Sequence, residues 1–320
     1  MPRLIKNTIV TAKVETTPGT DAAPSGAANA VLVSDVSATP LDAQAIDRNL
    51  IRGYFGGSEQ LVGPANVKLS YSVELAGSGT AATPPAWGQL LLGCAVAEGV
   101  LTTPPRVEYT PVSTGLKTLT QYYYDDGVLH KLLSSMGNCT LSAKVGERAM
   151  LRFEWTGLDG GITATPNVSG SFTAWKKPVA MTKANVIDIT LGATYAAGAL
   201  TGGTGYNSTG LELNFGNVVN FSAMLSTETV DVSDRQSTAT VEMELDAAQE
   251  VALMAKVKAN ETQSLGFTIG TAAGNKAIVF MPAVQFTNPR KSELNGKRLI
   301  GFDLRCMPVN GNDEWRIVTQ

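Results

Sequence analysis

Residues 67–76 alternate strictly between apolar and polar positions. Val67, Leu69, Tyr71, Val73 and Leu75 fall on one parity, and Lys68, Ser70, Ser72 and Glu74 on the other. A period of two predicts a strand with one dry and one wet face. After a Gly/Thr/Pro loop, the apolar run from Trp87 to Cys94 predicts a short helix lying on the dry face. The same order returns at 239–257. Ala239, Val241, Met243 and Leu245 alternate with Thr240, Glu242, Glu244 and Asp246, and residues 247–257 then read as a helix. The chain is therefore expected to hold two copies of one strand-then-helix unit.

The rest of the chain fits around these units. Strands are predicted at 8–16 and 30–37. Residues 40–66 show no period and carry Asp42, Asp47, Arg48, Arg52 and Glu59, the pattern of a long loop that is functional or disordered rather than a mere connector. Residues 97–117 read as irregular. A meander follows at 119–124, 128–135, 138–145 and 148–156, turned by Asp125, Asp126 and Gly127, a strong hairpin signal. A Gly/Thr/Pro-rich linker is expected at 159–178. The programme then restarts with strands at 185–195, 211–215 and 218–225. A charged loop at 227–237 holds Asp231, Asp234 and Arg235. Strands at 265–270, 276–286 and 298–307 close the second unit, interrupted by a charged loop at 288–297. The closing strands are alike: Gly146 and Arg148 lead to Phe153 and Glu154, as Gly296 and Arg298 lead to Phe302 and Asp303. The expected domains are residues 1–158 and 179–320. It stays open whether residues 1–7 and 309–320 are arms that order only on assembly.

Composition narrows the function. The 320 residues are 43% hydrophobic and 17% charged, with a net charge of −3, which argues against gripping nucleic acid through its phosphates. Cys94, Cys139 and Cys306 are too few and too far apart for a disulfide framework or a zinc site, and read as buried small hydrophobes. The N-terminus lacks the apolar stretch of a signal peptide, and the apolar run near 90–97 is far short of a membrane span. These features point to a soluble protein made in a reducing cytoplasm. His130 is the single histidine and reads as an exposed strand residue rather than a catalytic or metal centre. The glycines at 202, 203 and 205 lack the Gly-Lys-Ser/Thr of a phosphate loop, Asp125 and Asp126 are turn residues first, and Tyr122, Tyr123 and Tyr124 read as packing. No catalytic residue, metal or cofactor is expected.

The run Lys13 to Pro24, the segment Ala30 to Asp35, and Val73 to Gly79 followed by Pro85, Ala86, Trp87 and Gly88 resemble the tail tube (major tail) proteins of long-tailed bacteriophages. The likeness is clearest over residues 8–100. It implies a β-sandwich-like tube domain with a flanking helix. With the repeat read above, the expected fold is mainly β, two tandem tail-tube-like β-sandwich or barrel domains, each with a short flanking helix. Sheets of neighbouring subunits join into an inner barrel, and stacked rings enclose the channel for the genome. Single-domain members form hexameric rings, so two tandem domains imply a homotrimer, with a homohexamer as the alternative. Wet-face residues Lys68, Ser70, Ser72, Glu74, Arg152, Glu154, Thr240, Glu242, Glu244 and Asp246 are the expected channel lining, with carboxylates in excess. Asp42, Asp47, Arg48, Arg52 and Glu59, with Asp231, Asp234 and Arg235, are the expected inter-ring loops. The implied partners are further copies of the chain, other tail proteins at the tube ends, and DNA that passes without specific binding. The implied location is the virion tail, after assembly in the host cytoplasm. The alternatives are a tail terminator or decoration protein, or a carbohydrate-binding or adhesin β-sandwich.

Overall fold

In the computed structural model, which describes residues 2–320, the alternating stretch is a strand as far as Glu74 and its apolar parity is the dry face. Val67, Leu69, Tyr71, Val73 and Leu75 are all buried. The first half of the chain runs β1 (Thr8–Val14), α1 (Gly26–Asn29), β2 (Ala30–Val31), β3 (Ser34–Asp47), β4 (Gln60–Glu74), α2 (Gly88–Leu92), β5 (Val96–Thr102), β6 (Pro105–Pro111), β7 (Leu119–Asp125), β8 (Val128–Lys144) and β9 (Met150–Ala164). The second runs β10 (Val186–Leu191), β11 (Thr194–Ala196), β12 (Ala199–Thr201), β13 (Thr204–Tyr206), β14 (Ser208–Asn214), β15 (Asn217–Met224), β16 (Thr227–Arg235), β17 (Thr238–Met243), α3 (Ala247–Lys258), β18 (Thr262–Ile269), β19 (Ala277–Leu294), β20 (Lys297–Met307) and β21 (Arg316–Thr319). The protein is mainly β, with 56% of residues in strands and 7% in helices.

The two halves pair their strands alike. In the first, the antiparallel order is β4-β9-β8-β7-β1. In the second it is β17-β20-β19-β18-β10. Phe153 sits opposite Tyr71 in one half and Phe302 opposite Val241 in the other. The halves join where β14 pairs with β8, so one ladder runs β3-β4-β9-β8-β14-β17-β20-β19.

Aromatic packing anchors each half. Trp155 stacks on Phe153 at 5.5 Å between centroids, with Tyr71 tilted against both. Gly137 lies under that indole: a Cβ there would stand 2.6 Å from the Trp155 ring, so only glycine fits. In the second half Phe286 meets Phe302 edge-on at 5.3 Å, and Trp315 stacks on Phe215 at 3.9 Å. One buried cluster runs through both halves.

Several sequence expectations need correction. Residues 40–66 are mostly strand: β3 and β4 extend as one long hairpin, and only its tip, 48–59, is irregular. The segments read as charged loops at 227–237 and 288–297 are largely β16 and the far end of β19. Residues 97–117 contain the β5–β6 hairpin, and β9 runs on to Ala164, past the expected start of the linker. Except in β6, where Val107, Tyr109 and Pro111 face inward, these stretches have few or no residues facing the core, so the alternation that marks a half-buried strand is missing. His130 is buried rather than exposed, its ring 5.7 Å from that of Tyr123, and burial pushes its pKa below the usual imidazole value. Helix α3 begins with a capping box, in which Asp246 accepts from the Gln249 amide at 2.8 Å. Leu253 alone of its side chains is fully buried, so α3 covers less of the dry face than the sequence implies.

The C-terminus is not a loose arm. β21 pairs with both β19 and β6 and thereby ties the end of the chain to its first half. Glu108 fastens this closure. Its carboxylate accepts from Tyr195 Oη at 2.6 Å, Arg106 Nε at 2.5 Å and Arg316 Nη1 at 2.8 Å. Burial alone would raise its pKa; the Tyr195 hydrogen bond and the two guanidiniums outweigh that and hold it below the usual carboxylate range. A depressed folded pKa means stability that is present above the unfolded value, about 4.3, and lost as pH falls through the folded one. Urea midpoints of the native protein should therefore fall faster below pH 5 than those of Glu108→Gln, which starts lower at pH 7. Parallel acid limbs would show that Glu108 contributes nothing there.

Candidate functional site

The long ladder gives most of the predicted lining residues a common face. Lys68, Ser70, Ser72 and Glu74 of β4 stand opposite Thr156, Glu154, Arg152 and Met150 of β9. In β17, Thr240 lies between Glu212 and Asp303, and Glu242 between Gly210 and Gly301. Because the ladder is unbroken between the halves, these positions form one polar surface on the side away from the Trp155 and Phe302 core. Glu244 lies just past the end of β17, beside Lys297. Asp246 departs from the set: it caps α3 and its carboxylate is engaged by that helix.

The face is more evenly charged than β4 and β17 alone suggest. Glu74 pairs with Arg148 at 3.0 Å, Glu154 with Arg152 at 3.3 Å and Glu244 with Lys297 at 3.1 Å. Lys144 lies 3.3 Å from Glu212, and Arg290 lies 2.5 Å from Asp303. The Lys297 ammonium holds Glu244, and the Arg290 guanidinium holds Asp303, below the usual carboxylate range. These exposed pairs add little stability, but they cancel much of the local field. Glu242 differs. Its carboxylate accepts from Thr209 and Ser292, and no cation pairs with it among the described residues. The sequence reading missed Lys144, Arg290 and Lys297 because strand order, not spacing along the chain, brings them beside these carboxylates.

Two hairpins extend from the ladder. The charged residues of the β3–β4 hairpin are mostly spent on the hairpin itself. Asp42 binds Lys68 at 2.5 Å, Gln60 donates to Asp47 at 2.6 Å, and Glu59 pairs with both Arg48 and Arg52. What the tip presents outward is apolar: Leu50, Ile51, Tyr54 and Phe55, with Ile51 and Phe55 as open as in an extended peptide. The shorter β15–β16 hairpin shows Met224 and Leu225 at its turn. Asp231 lies exposed along it, and Asp234 accepts from the Arg235 amide. Arg235 turns inward, its guanidinium donating to Glu314 and to the Val112 carbonyl. It therefore fastens the base of the second hairpin rather than offering a charge at its tip.

The chemistry elsewhere is structural. All three cysteines are buried free thiols. Glu15, also buried, accepts from Thr118, Thr120 and the Ser134 amide. Among the described residues there is no acidic, histidine or cysteine group fit to hold a metal, and no helix long and apolar enough to cross a membrane.

Comparison with known proteins agrees with an assembly role. A family model described as phage tail tube protein matches residues 6–303. A comparison with curated proteins gave no match.

Proposed function

The chain belongs to the phage tail tube protein family, which makes it a structural component of the tail tube, and on that premise we propose how it fills the role: three copies close into a ring, and rings stack into a tube. The observation that carries this reading is the ladder of eight strands whose two ends, β3 and the part of β19 beyond Gln285, have no further strand partner among the described residues. Exposed strand edges recruit further strands, and a head-to-tail contact closes into a ring when its rotation permits.

Width favours three copies over two. Strands lie about 4.8 Å apart and tilt about 40° in a barrel. Two copies would give a barrel about 32 Å across its backbone, and side chains would narrow the bore to about 20 Å, no wider than a bare duplex. Three copies give about 48 Å and a bore near 38 Å, enough for hydrated DNA. The matching strand order of the two halves supports counting each as one tube domain. The first ends with β9 and the second starts with β10, so three chains supply six domains around the ring. The mass of the smallest soluble oligomer, with electron microscopy of the concentrated protein, tests this. Trimers that grow into hollow tubes are the expected result; a hexamer would overturn the stoichiometry, and a protein that never polymerises the tube.

The polar face then lines the bore. Paired charges leave DNA phosphates neither a strong binding well nor a strong repulsion, while Glu242 adds an unpaired negative charge. Glu242→Lys with Glu244→Lys would turn this stretch basic in every copy and hold phosphates electrostatically. Tubes should still form, and DNA ejection from particles carrying the double variant should slow, most of all at low salt. Ejection at the native rate would remove these residues from the bore.

A further inference from the structure

The join between the two halves contains the plan of the join between copies. We infer that the free edge of β3 pairs with the far end of β19 in the next copy, in the register that β14 and β8 already use within the chain. This rests on the ring-forming reading above and specifies its interface.

The argument begins with β8. Its residues 128–135 pair with β7, and residues 140–144 of the same edge pair with β14, because β9 occupies the opposite edge. β19 is laid out in the same way. Residues 277–285 pair with β18 on one edge, and β20 takes residues 283–294 on the other. Beyond Gln285, the β18 side of β19 has no strand partner among the described residues. At the opposite end of the ladder, β3 holds against β4 the place that β14 holds against β17, and its outer edge is equally unpaired among the described residues.

Superposing the two pairing schemes gives the register. Ala38 lies opposite Leu69 as Leu213 lies opposite Ala239, so Ser37, Ala38 and Thr39 take the places of Glu212, Leu213 and Asn214. Arg290 lies opposite Gly301 as Thr140 lies opposite Arg152, each one residue before the matching phenylalanine, so Arg290, Lys291 and Ser292 take the places of Thr140, Leu141 and Ser142. Within the chain Glu212 faces Ser142, Leu213 faces Leu141 and Asn214 faces Thr140. Between copies, Ser37 therefore faces Ser292 of the next copy, Ala38 faces Lys291, and Thr39 faces Arg290.

Three features that were not used in the superposition agree with this. Every neighbouring pair in the ladder is antiparallel, so its two outer strands run in opposite directions and a β19 from the next copy meets β3 antiparallel, as the ladder requires. The pairing also keeps the faces in phase: Ser37 shares the polar face with Ser70, and Ser292 shares it with its hydrogen-bond partner Glu242. A slip of one residue would set Ser37 against Lys291, on the other face. Finally, Pro40 follows Thr39 and has no amide to donate, which suits a ladder that ends there.

Cysteine cross-linking tests the register on the full-length protein. In the Ser37→Cys, Ser292→Cys double variant, tubes assembled under reducing conditions and then oxidised should convert most of the protein into covalent oligomers on a non-reducing gel, after the free thiols are blocked. The three native thiols are buried and stay out of the reaction in the folded protein. A mixture of the two single variants should give dimers and nothing larger, which proves that the bond joins different chains. The control, Ser37→Cys with Leu294→Cys, is two residues out of register, beyond disulfide reach, and should remain monomeric on the gel. Tubes that form without the cross-link, or that link the control equally well, overturn the register and leave the tube reading standing. Failure of the unmodified protein to form rings or tubes would overturn both.

Discussion

Trp155→Ala should destabilise the protein by about 3–5 kcal/mol, the range for emptying a large aromatic from a packed core. Its indole is buried, stacked on Phe153 and closed beneath by Gly137, whose lack of a side chain leaves nothing to collapse into the space. Trp155→Phe should lose roughly half as much, since the ring stack persists. Chemical denaturation followed by circular dichroism reads both. The shape of the transition carries a second expectation. The buried cluster crosses from one half to the other, and the β14–β8 ladder and β21 bind the halves covalently distant but spatially adjacent. Native protein and variant should therefore unfold in a single cooperative step. Two separate steps, with Trp155→Ala shifting only the first, would show that the halves are energetically independent despite the shared ladder.

What the sequence revealed of this fold depended on burial more than on strand formation. β4 and β17 are visible because each has one face in the core, so Val67 to Leu75 and Ala239 to Met243 alternate cleanly. β16 and the outer parts of β3 and β4 are equally regular strands, yet they stand clear of the core. Val230 is the only buried residue of β16, and with both faces wet no alternation survives. The β5–β6 hairpin was lost differently: Val107, Tyr109 and Pro111 do alternate as buried positions, but over too few residues to outweigh the prolines and threonines around them. The polar face was half legible. Its strands could be placed, and its carboxylates named, but their cationic partners come from strands that adjoin only after folding. The apolar hairpin tip has no period to mark it in the sequence, where charged residues dominate the stretch; in the structure those charges are spent within the hairpin.

Replacing Leu50, Ile51, Tyr54 and Phe55 together by serine should leave the fold and the ring intact and abolish the tube. None of the four packs against the core, so the denaturation midpoint should move little. Their exposure makes little sense in an isolated chain, where clustered apolar side chains are an aggregation hazard, and good sense if an adjoining ring covers them. A large apolar side chain gains about 1.5–3 kcal/mol on full burial, so even partial cover of four in each copy amounts to several kcal/mol per subunit. Ordering the tip and fixing the rings offsets part of this. The remainder still multiplies around the ring, since every subunit makes the contact at once, and a loss this size shifts assembly by orders of magnitude rather than by a fraction. Sedimentation and electron microscopy should then find single rings at concentrations where the unmodified protein is fully polymerised. Serines at Met224 and Leu225 in the shorter hairpin should have a smaller effect, with tubes that form but break more easily. If tubes of the fourfold variant grow at the native concentration and length, the long hairpin does not bind the rings together, and its apolar tip must meet some other component of the tail.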